Sequence, residues 1–482
     1  MKNEQEYVES LRGRKMEVYY MGERVADPLE HPAFRPHVNA AALTYAHHPG
    51  STGEDDLATA RSHLTGLPIN RFTHIHQSAD DLLKKVKLLR AIGRHTGSCF
   101  QRCVGLDAMN ALYVTTYDMD AQLGTPYHGR LLEFLKYVQA EDLMCAGAMT
   151  DPKGDRSLAP GEQPDPDQFL HVVERRAGGI VVRGAKLHQT GVVNSHEIIA
   201  MPTTGLKPGE SDYAVAFAIP ADTQGLLYIF GRQTNDTRKE EGCIDQGNAG
   251  YGIVGGEALV VFEDVFVPWE RVFMCGEHGF AGPLVETFAS YHRQNYGGCK
   301  AGVADVLIGA AALIADYNGV AKASHIRDKL TEMVQLTETL YCCSIACSAQ
   351  GRPTASGAWF VDPLLANVTK LNVTRNVYEV ARLAQDIAGG LLATLPSEKD
   401  LRNERVGPYV EKYFAGRQGV PTEARLRAAR LIENMSGGTA LVESMHGAGS
   451  PQAQKIMLQR QADLPQKVRW AMRLAGITGT RE

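Results

Sequence analysis

Several features are scarce in this 482-residue sequence, and each scarcity excludes something. No uninterrupted apolar run is long enough to cross a bilayer; the best stretch, Val306 to Ala315, is short and follows Asp305. The opening residues, Met1-Lys2-Asn3-Glu4-Gln5-Glu6, lack the apolar centre of a signal peptide. Excess positive charge is missing too: 50 Lys and Arg against 55 Asp and Glu leave −5, a poor match to a phosphate backbone. There is no internal repeat and no phosphate-cradling signature. Gly250-Tyr251-Gly252-Ile253-Val254-Gly255 fits G-x-G-x-x-G, but a loop precedes it and a strand follows, so a dinucleotide-binding reading fails. These absences predict a cytoplasmic chain that binds neither nucleic acid nor membrane. In that compartment the nine cysteines stay reduced, so metal binding or burial accounts for them better than disulfides.

The rest of the composition is that of a globular protein with a large core, 44% apolar and 22% charged. Its periodicity divides the chain in three. Residues 1–144 read as helical: Ser78 and Asp81 have capping-box spacing, Leu82, Val86, Leu89 and Gly93 share a face with Lys84, Lys85, Lys87 and Arg90 mostly elsewhere, and a second helix runs from about Ser98 to Gln122. Residues 145–278 carry short β-type runs, Gly179–Val182, Ala214–Ile219, Leu226–Phe230 and Ala258–Val267, bounded by Gly, Pro or Asp. Residues 279–482 return to a helical period, with segments near 283–317, 322–350, 362–388, 421–445 and 450–474. The predicted fold is mainly α with a central antiparallel β domain: a helical N-terminal domain, the β domain, then a C-terminal helical bundle.

Cys99 and Cys103 are four apart, which on a helix stacks their sulfurs; His292 and Cys299 are seven apart and also share a face, with Tyr296 and Lys300 nearly on the same stripe. Facing helices would bring three thiols and one imidazole together. Spacing alone leaves three explanations open: core packing, a Cys₃His zinc site, or an iron–sulfur cluster. Cys342, Cys343 and Cys347 sit in an amphipathic helix without a nearby histidine and read as bundle packing; Cys145, Cys243 and Cys275 are isolated.

Val261-Phe262-Glu263-Asp264-Val265-Phe266-Val267-Pro268 resembles the end of the β domain in acyl-CoA dehydrogenases. Gln385-Asp386-Ile387-Ala388-Gly389-Gly390 resembles that superfamily's Q-x-x-G-G element, with one extra residue. Across essentially its whole length the chain is similar to the 4-hydroxybutyryl-CoA dehydratase group of the 4-hydroxyphenylacetate 3-hydroxylase family of flavoproteins. The matching motifs are Ser98-Cys99-Phe100-Gln101-Arg102-Cys103, Met149 through Arg156, His188-Gln189-Thr190-Gly191, Tyr291 through Lys300, and Glu443 through Gly449. The resemblance implies an acyl-CoA dehydrogenase-like fold, FAD, a homotetramer, and a 4Fe–4S cluster on Cys99, Cys103, His292 and Cys299. It implies dehydration of 4-hydroxybutyryl-CoA to crotonyl-CoA by a flavin-dependent radical route with a cluster iron as Lewis acid, and isomerisation of vinylacetyl-CoA to crotonyl-CoA. His292 becomes a replaceable ligand and candidate base; Tyr296, Lys300, Glu257, Glu443 and Thr190 become catalytic or orienting groups. Met149, Thr150, Lys153, Asp155, Arg156, His188 and Thr190 become flavin contacts, and Gln385, Asp386, Gly389 and Gly390 contacts to a neighbouring subunit's flavin. The competing readings are an FADH2-dependent aromatic monooxygenase of the same fold and a non-catalytic, zinc-stapled helical protein.

Overall fold

The computed structural model describes residues 1–46, 49–50, 53–234 and 236–477. Ser78 caps helix α1 (Ala79–Thr96), its side chain accepting from the Asp81 amide at 3.2 Å, and left-handed Gly97 ends it. Leu82, Val86, Leu89 and Gly93 are buried as their spacing predicts, but so is Lys85, expected off that face; it meets Asp107 at 3.3 Å. Helices α2 (Cys103–Leu123) and α3 (Tyr127–Ala140) follow. The expected start near Ser98 is corrected: Gln101 adopts φ 69°, so the chain turns before α2 and Cys99 lies in the non-helical approach. Side-chain bonds fix that turn, Gln101 Nε2 donating to the His37 carbonyl at 2.9 Å and Oε1 accepting from Asn194 at 3.0 Å. Cys99 and Cys103 therefore do not stack on one helix face.

Two sheets form the centre. The larger joins β1 (Glu17–Tyr20), β2 (Glu23–Arg24), β4 (His171–Arg176), β5 (Gly179–Thr190), β8 (Leu226–Phe230) and β9 (Glu257–Pro268) in the order β2-β1-β8-β9-β5-β4. The smaller joins β3 (Cys145–Ala148), β6 (Glu197–Ala200), β7 (Val215–Pro220) and β10 (Val272–Cys275) in the order β10-β7-β6-β3. Pairing is mostly antiparallel, with one parallel pair in each sheet: β1 with β8 and β3 with β6. Along β9, Ala258, Val260 and Phe262 point inward; a register shift at Asp264 (φ 53°) restores the same face to Val265 and Val267. The sheets share one apolar core with α2 and α3, and Phe217 meets Phe262 edge-on at 6.1 Å.

The C-terminal part is organised round α4 (His278–Tyr317), against which α1, α2, α5 (Ser324–Ala349), α6 (Pro363–Ala388) and α7 (Thr422–Met435) pack. Glycine permits the closest approach: a Cβ on Gly93 of α1 would lie 2.8 Å from the Cys299 carbonyl, and one on Gly298 2.7 Å from that of Val86. Helix α4 is long and apolar enough to cross a membrane by length and composition, with mean hydropathy 1.6 over its most apolar window; 56% of that window is buried in the molecule. Counting uninterrupted apolar residues overlooks this, because Lys300 and Asp305 interrupt the run. The segments read as 421–445 and 450–474 are each two helices. The first divides into α7 and α8 (Gly438–His446) at Gly437, and the second at Asp463, φ 41°.

Candidate active site

Glu257 and Thr190 are register partners on β9 and β5, and the Thr190 hydroxyl lies 2.8 and 2.9 Å from the two carboxylate oxygens. Burial pushes the Glu257 carboxyl up to about 8; Glu443 adds to this, while the Thr190 hydrogen bond and Lys300 oppose it. Across from them, α4 presents Tyr296 and Lys300, and α8 presents Glu443. Lys300 forms an ion pair with Glu443, and the Tyr296 hydroxyl stands 3.3 Å from the other Glu443 oxygen. Burial alone would raise Glu443, but Lys300, Lys370 and the Tyr296 hydrogen bond hold it below the ordinary carboxylate range. Burial pushes Tyr296 well up, further raised by Glu443. A small cleft, about 40 Å³, reaches Cys99, Lys300 and Ser444 between largely apolar walls that include Val303, Leu340 and Val377.

Cys103 and Cys299 pack on one apolar cluster with Leu89, Ile92 and Phe100. Cys99 adjoins the glycine-rich turn rejected as a dinucleotide motif: a Cβ on Gly255 would sit 3.3 Å from its sulfur and 2.7 Å from Thr190 Cγ2. Burial pushes all three thiols up, Cys299 to about 11; charge on Cys299 further raises Cys99, and charge on either raises Cys103. His292 is stacked on Phe288, and its Nδ1 lies 2.8 Å from Asp107 Oδ2. Asp107 is wholly buried and also takes Lys85 and the Asn295 amide. A carboxylate at Nδ1 puts the ring proton there and leaves Nε2 with the free lone pair, the arrangement that orients histidine ligands. Among the described residues, no three His, Cys, Asp or Glu side chains are placed to share a single metal ion.

The flavin-type segments fall in two places. Met149 and Thr150 leave β3 beside β5, where the Thr150 carbonyl accepts from the Leu187 amide at 2.7 Å and from Gln189 at 2.9 Å. Fully buried Lys186 anchors the same turn through Asp151 at 2.6 Å and the Met149 carbonyl at 2.8 Å. Lys153, Asp155 and Arg156 follow on an exposed stretch, Asp155 bonding Ser157. His188 is exposed at φ 62°, its basicity lowered by partial burial and by Lys153 and His446 nearby. Thr190 thus links this region to the Glu257 side of the site. Gln385, Asp386, Gly389 and Gly390 lie elsewhere, all exposed at the outer end of α6, about 22 Å along the helix from Lys370. Gln385 bonds Ser436 and Asp386 pairs with Lys329 at 2.6 Å.

The sequence reading missed Asp107, Lys85 and Lys370. Asp107 carried a signal: it is four residues after Cys103 on the same helix face. Lys370 carried another, a lysine within the buried stripe Ala366–Lys370–Val373 of α6.

Two family models match the chain: 4-hydroxyphenylacetate 3-hydroxylase N terminal over residues 3–274, and C terminal over residues 281–476. The 4-hydroxybutyryl-CoA dehydratase/vinylacetyl-CoA-Delta-isomerase of Clostridium aminobutyricum is 55% identical over 98% of this chain and 99% of its own length. A solved structure of an oxygen-tolerant archaeal 4-hydroxybutyryl-CoA dehydratase from N. maritimus superposes with TM-score 0.96, at 55% identity over 100% of this chain and 96% of that one. The oxygenase component of 4-hydroxyphenylacetate 3-monooxygenase, solved with FAD, shares the fold at TM-score 0.84 and 23% identity, over 98% of this chain and 99% of that one. The chain belongs to the 4-hydroxyphenylacetate 3-hydroxylase family.

Proposed function

We propose that this chain is a lyase that dehydrates 4-hydroxybutyryl-CoA to crotonyl-CoA and isomerises vinylacetyl-CoA to the same product, using FAD and a 4Fe–4S cluster. The observation that carries the reading is end-to-end identity of 55% to an enzyme named for both reactions. The donor set suits a cluster: three soft thiols and one imidazole whose distal nitrogen is held by Asp107. A four-iron cluster spreads its ligands wider than a single ion does. Burial keeps the thiols protonated by themselves, so bound metal is what would hold Cys99, Cys103 and Cys299 as thiolates. FAD is supported by the shared fold of a flavin-bound relative and by the Met149–Arg156 and His188–Thr190 segments.

When bound, FAD supplies one-electron chemistry, hence a radical route, and the cluster supplies a Lewis-acidic iron. The chain's residues must handle protons at three carbons: one hydrogen leaves C2, one leaves C3, hydroxide leaves C4, and one hydrogen returns to C4. Glu257, with its carboxyl at about 8, holds a proton at neutral pH in an orientation fixed by Thr190. Glu443 is held ionised between Lys300 and Tyr296, which donate to it. His292 is fixed by Asp107 and would be the replaceable ligand, its Nε2 lone pair able to take a proton only when it is not holding metal. Apolar side chains, among them Val303, Leu340 and Val377, line the cleft beside Lys300.

The same reading includes an acyl-CoA dehydrogenase-like division into 1–144, 145–278 and 279–482, and a cytoplasmic homotetramer without nucleic-acid or membrane partners. Flavin lies between subunits in it, which gives exposed Gln385, Asp386, Gly389 and Gly390 a partner. Anaerobic purification with FAD, iron, zinc and acid-labile sulfide analysis tests the cofactors: one FAD and one 4Fe–4S cluster per chain support the reading, and stoichiometric zinc without sulfide overturns it.

A further inference from the structure

Glu443 is carried by a helix with little to hold it. Helix α8 has nine residues, of which only Ser444 is buried, and it runs straight into a turn with positive φ at Ala448 and Gly449. So short a helix is not stable by itself, and the turn that follows serves only part of its last turn, the Gly447 and Gly449 amides donating to the Glu443 and His446 carbonyls. Lys370 reaches the other two from α6. Its side chain is fully buried, and Nζ donates to the carbonyls of Ser444 at 2.5 Å and Met445 at 3.2 Å. The same Nζ stands 4.2 Å from the centre of the Tyr296 ring; burial lowers this lysine to about 7, with Glu443 opposing the shift.

We infer that Lys370 is the positioning residue of the site: by clamping the last turn of α8 against the Tyr296 ring, it sets the place of Glu443 relative to Tyr296 and Lys300. The partners are carbonyl oxygens at a helix C-terminus, where a cation is favoured. Arg293 holds the following turn separately through the Ala448 carbonyl at 3.1 Å, so removing Lys370 frees the Glu443 turn without releasing the whole segment. For its kinetic consequence this inference rests on the dehydratase reading; the clamp itself does not.

The test uses the holoenzyme and Lys370→Met, which keeps an unbranched side chain one atom shorter and removes its charge. Amide hydrogen exchange should quicken about ten- to a hundredfold across residues 438–447, the factor a charge-assisted hydrogen bond is worth. FAD and iron content should stay at wild-type levels. Crotonyl-CoA formation should show kcat reduced about 10²-fold with KM little changed, as expected when a reacting group is displaced by about 1 Å. Ethylammonium added to Lys370→Ala should restore part of the rate, which it would not do if the lysine only stabilised the fold. Unchanged exchange in α8, or a rate loss that merely tracks lost cofactor, overturns the inference. If the wild-type protein acts on neither CoA ester while exchange in the variant still quickens, the dehydratase reading fails and the clamp stands.

Discussion

Replacing Gly447 by alanine should disable the site by steric conflict alone. At φ −55° and ψ 139° the backbone accommodates any L-residue, so no cost arises there. A Cβ at this position would overlap the Tyr296 hydroxyl and lie 3.1 Å from its Cζ and 3.0 Å from the Glu443 carbonyl. Ordinary contact requires the phenol to retreat by at least about 1 Å. Tyr296 is 4% exposed, with Lys370 over its ring, so it has little room to retreat. The 3.3 Å contact from its hydroxyl to Glu443 then breaks. Overpacking of this kind costs about 1–3 kcal/mol, and the displaced group about 10² in kcat. Urea unfolding and crotonyl-CoA formation measure the two. Adding Tyr296→Phe removes the overlapping hydroxyl, so Gly447→Ala should cost under about 1 kcal/mol in that background. A Gly447→Ala enzyme with wild-type stability and rate, or one equally destabilised in both backgrounds, refutes the reasoning.

Glu197 is 2% exposed and 3.1 Å from Arg271; burial nonetheless pushes its carboxyl up from 4.5 to about 7. The folded protein therefore binds this proton more tightly than the unfolded chain, and the associated stability, about 3 kcal/mol, is present at low pH and lost as pH rises from about 4.5 to 7. Glu197→Gln should flatten that slope in urea titrations between pH 5 and 8; parallel curves would contradict it. Lys186→Met strands buried Asp151 and frees the turn after β3. Stability should drop by about 3–5 kcal/mol, the cost of breaking a buried ion pair, and FAD should dissociate faster. Unchanged FAD release by stopped-flow fluorescence would disconnect that turn from the flavin.

Much of the architecture was legible because period and boundaries agreed. Ser78 caps its helix, Leu226–Phe230 is a strand end to end, and Gly250–Gly255 is a loop before a strand rather than a phosphate turn. Cys99 was misplaced because the helix start is set by Gln101 reaching His37 and Asn194, contacts 64 and 93 residues away in sequence. No local pattern contains them. The buried role of Lys85 and Lys370 was hidden for a related reason: propensity treats lysine as surface, and distant partners, Asp107 for one and the carbonyls of α8 with the Tyr296 ring for the other, make these burials tolerable. Of the site, the Tyr296–Lys300 stripe was visible as spacing. Glu257 and Glu443 came only through resemblance, since a lone glutamate carries no pattern.

The central claim is that Cys99, Cys103, His292 and Cys299 serve a dehydratase in which His292 is both ligand and base. Its most direct measurement is anaerobic crotonyl-CoA formation from 4-hydroxybutyryl-CoA by wild type, His292→Cys and Cys99→Ala, with iron counted on the same samples. Wild type should turn over. His292→Cys should keep most of its iron yet lose about 10²–10⁴ in rate, while Cys99→Ala loses iron and rate together. A wild-type enzyme that forms no crotonyl-CoA, or a His292→Cys enzyme that forms it at the wild-type rate, would contradict the account.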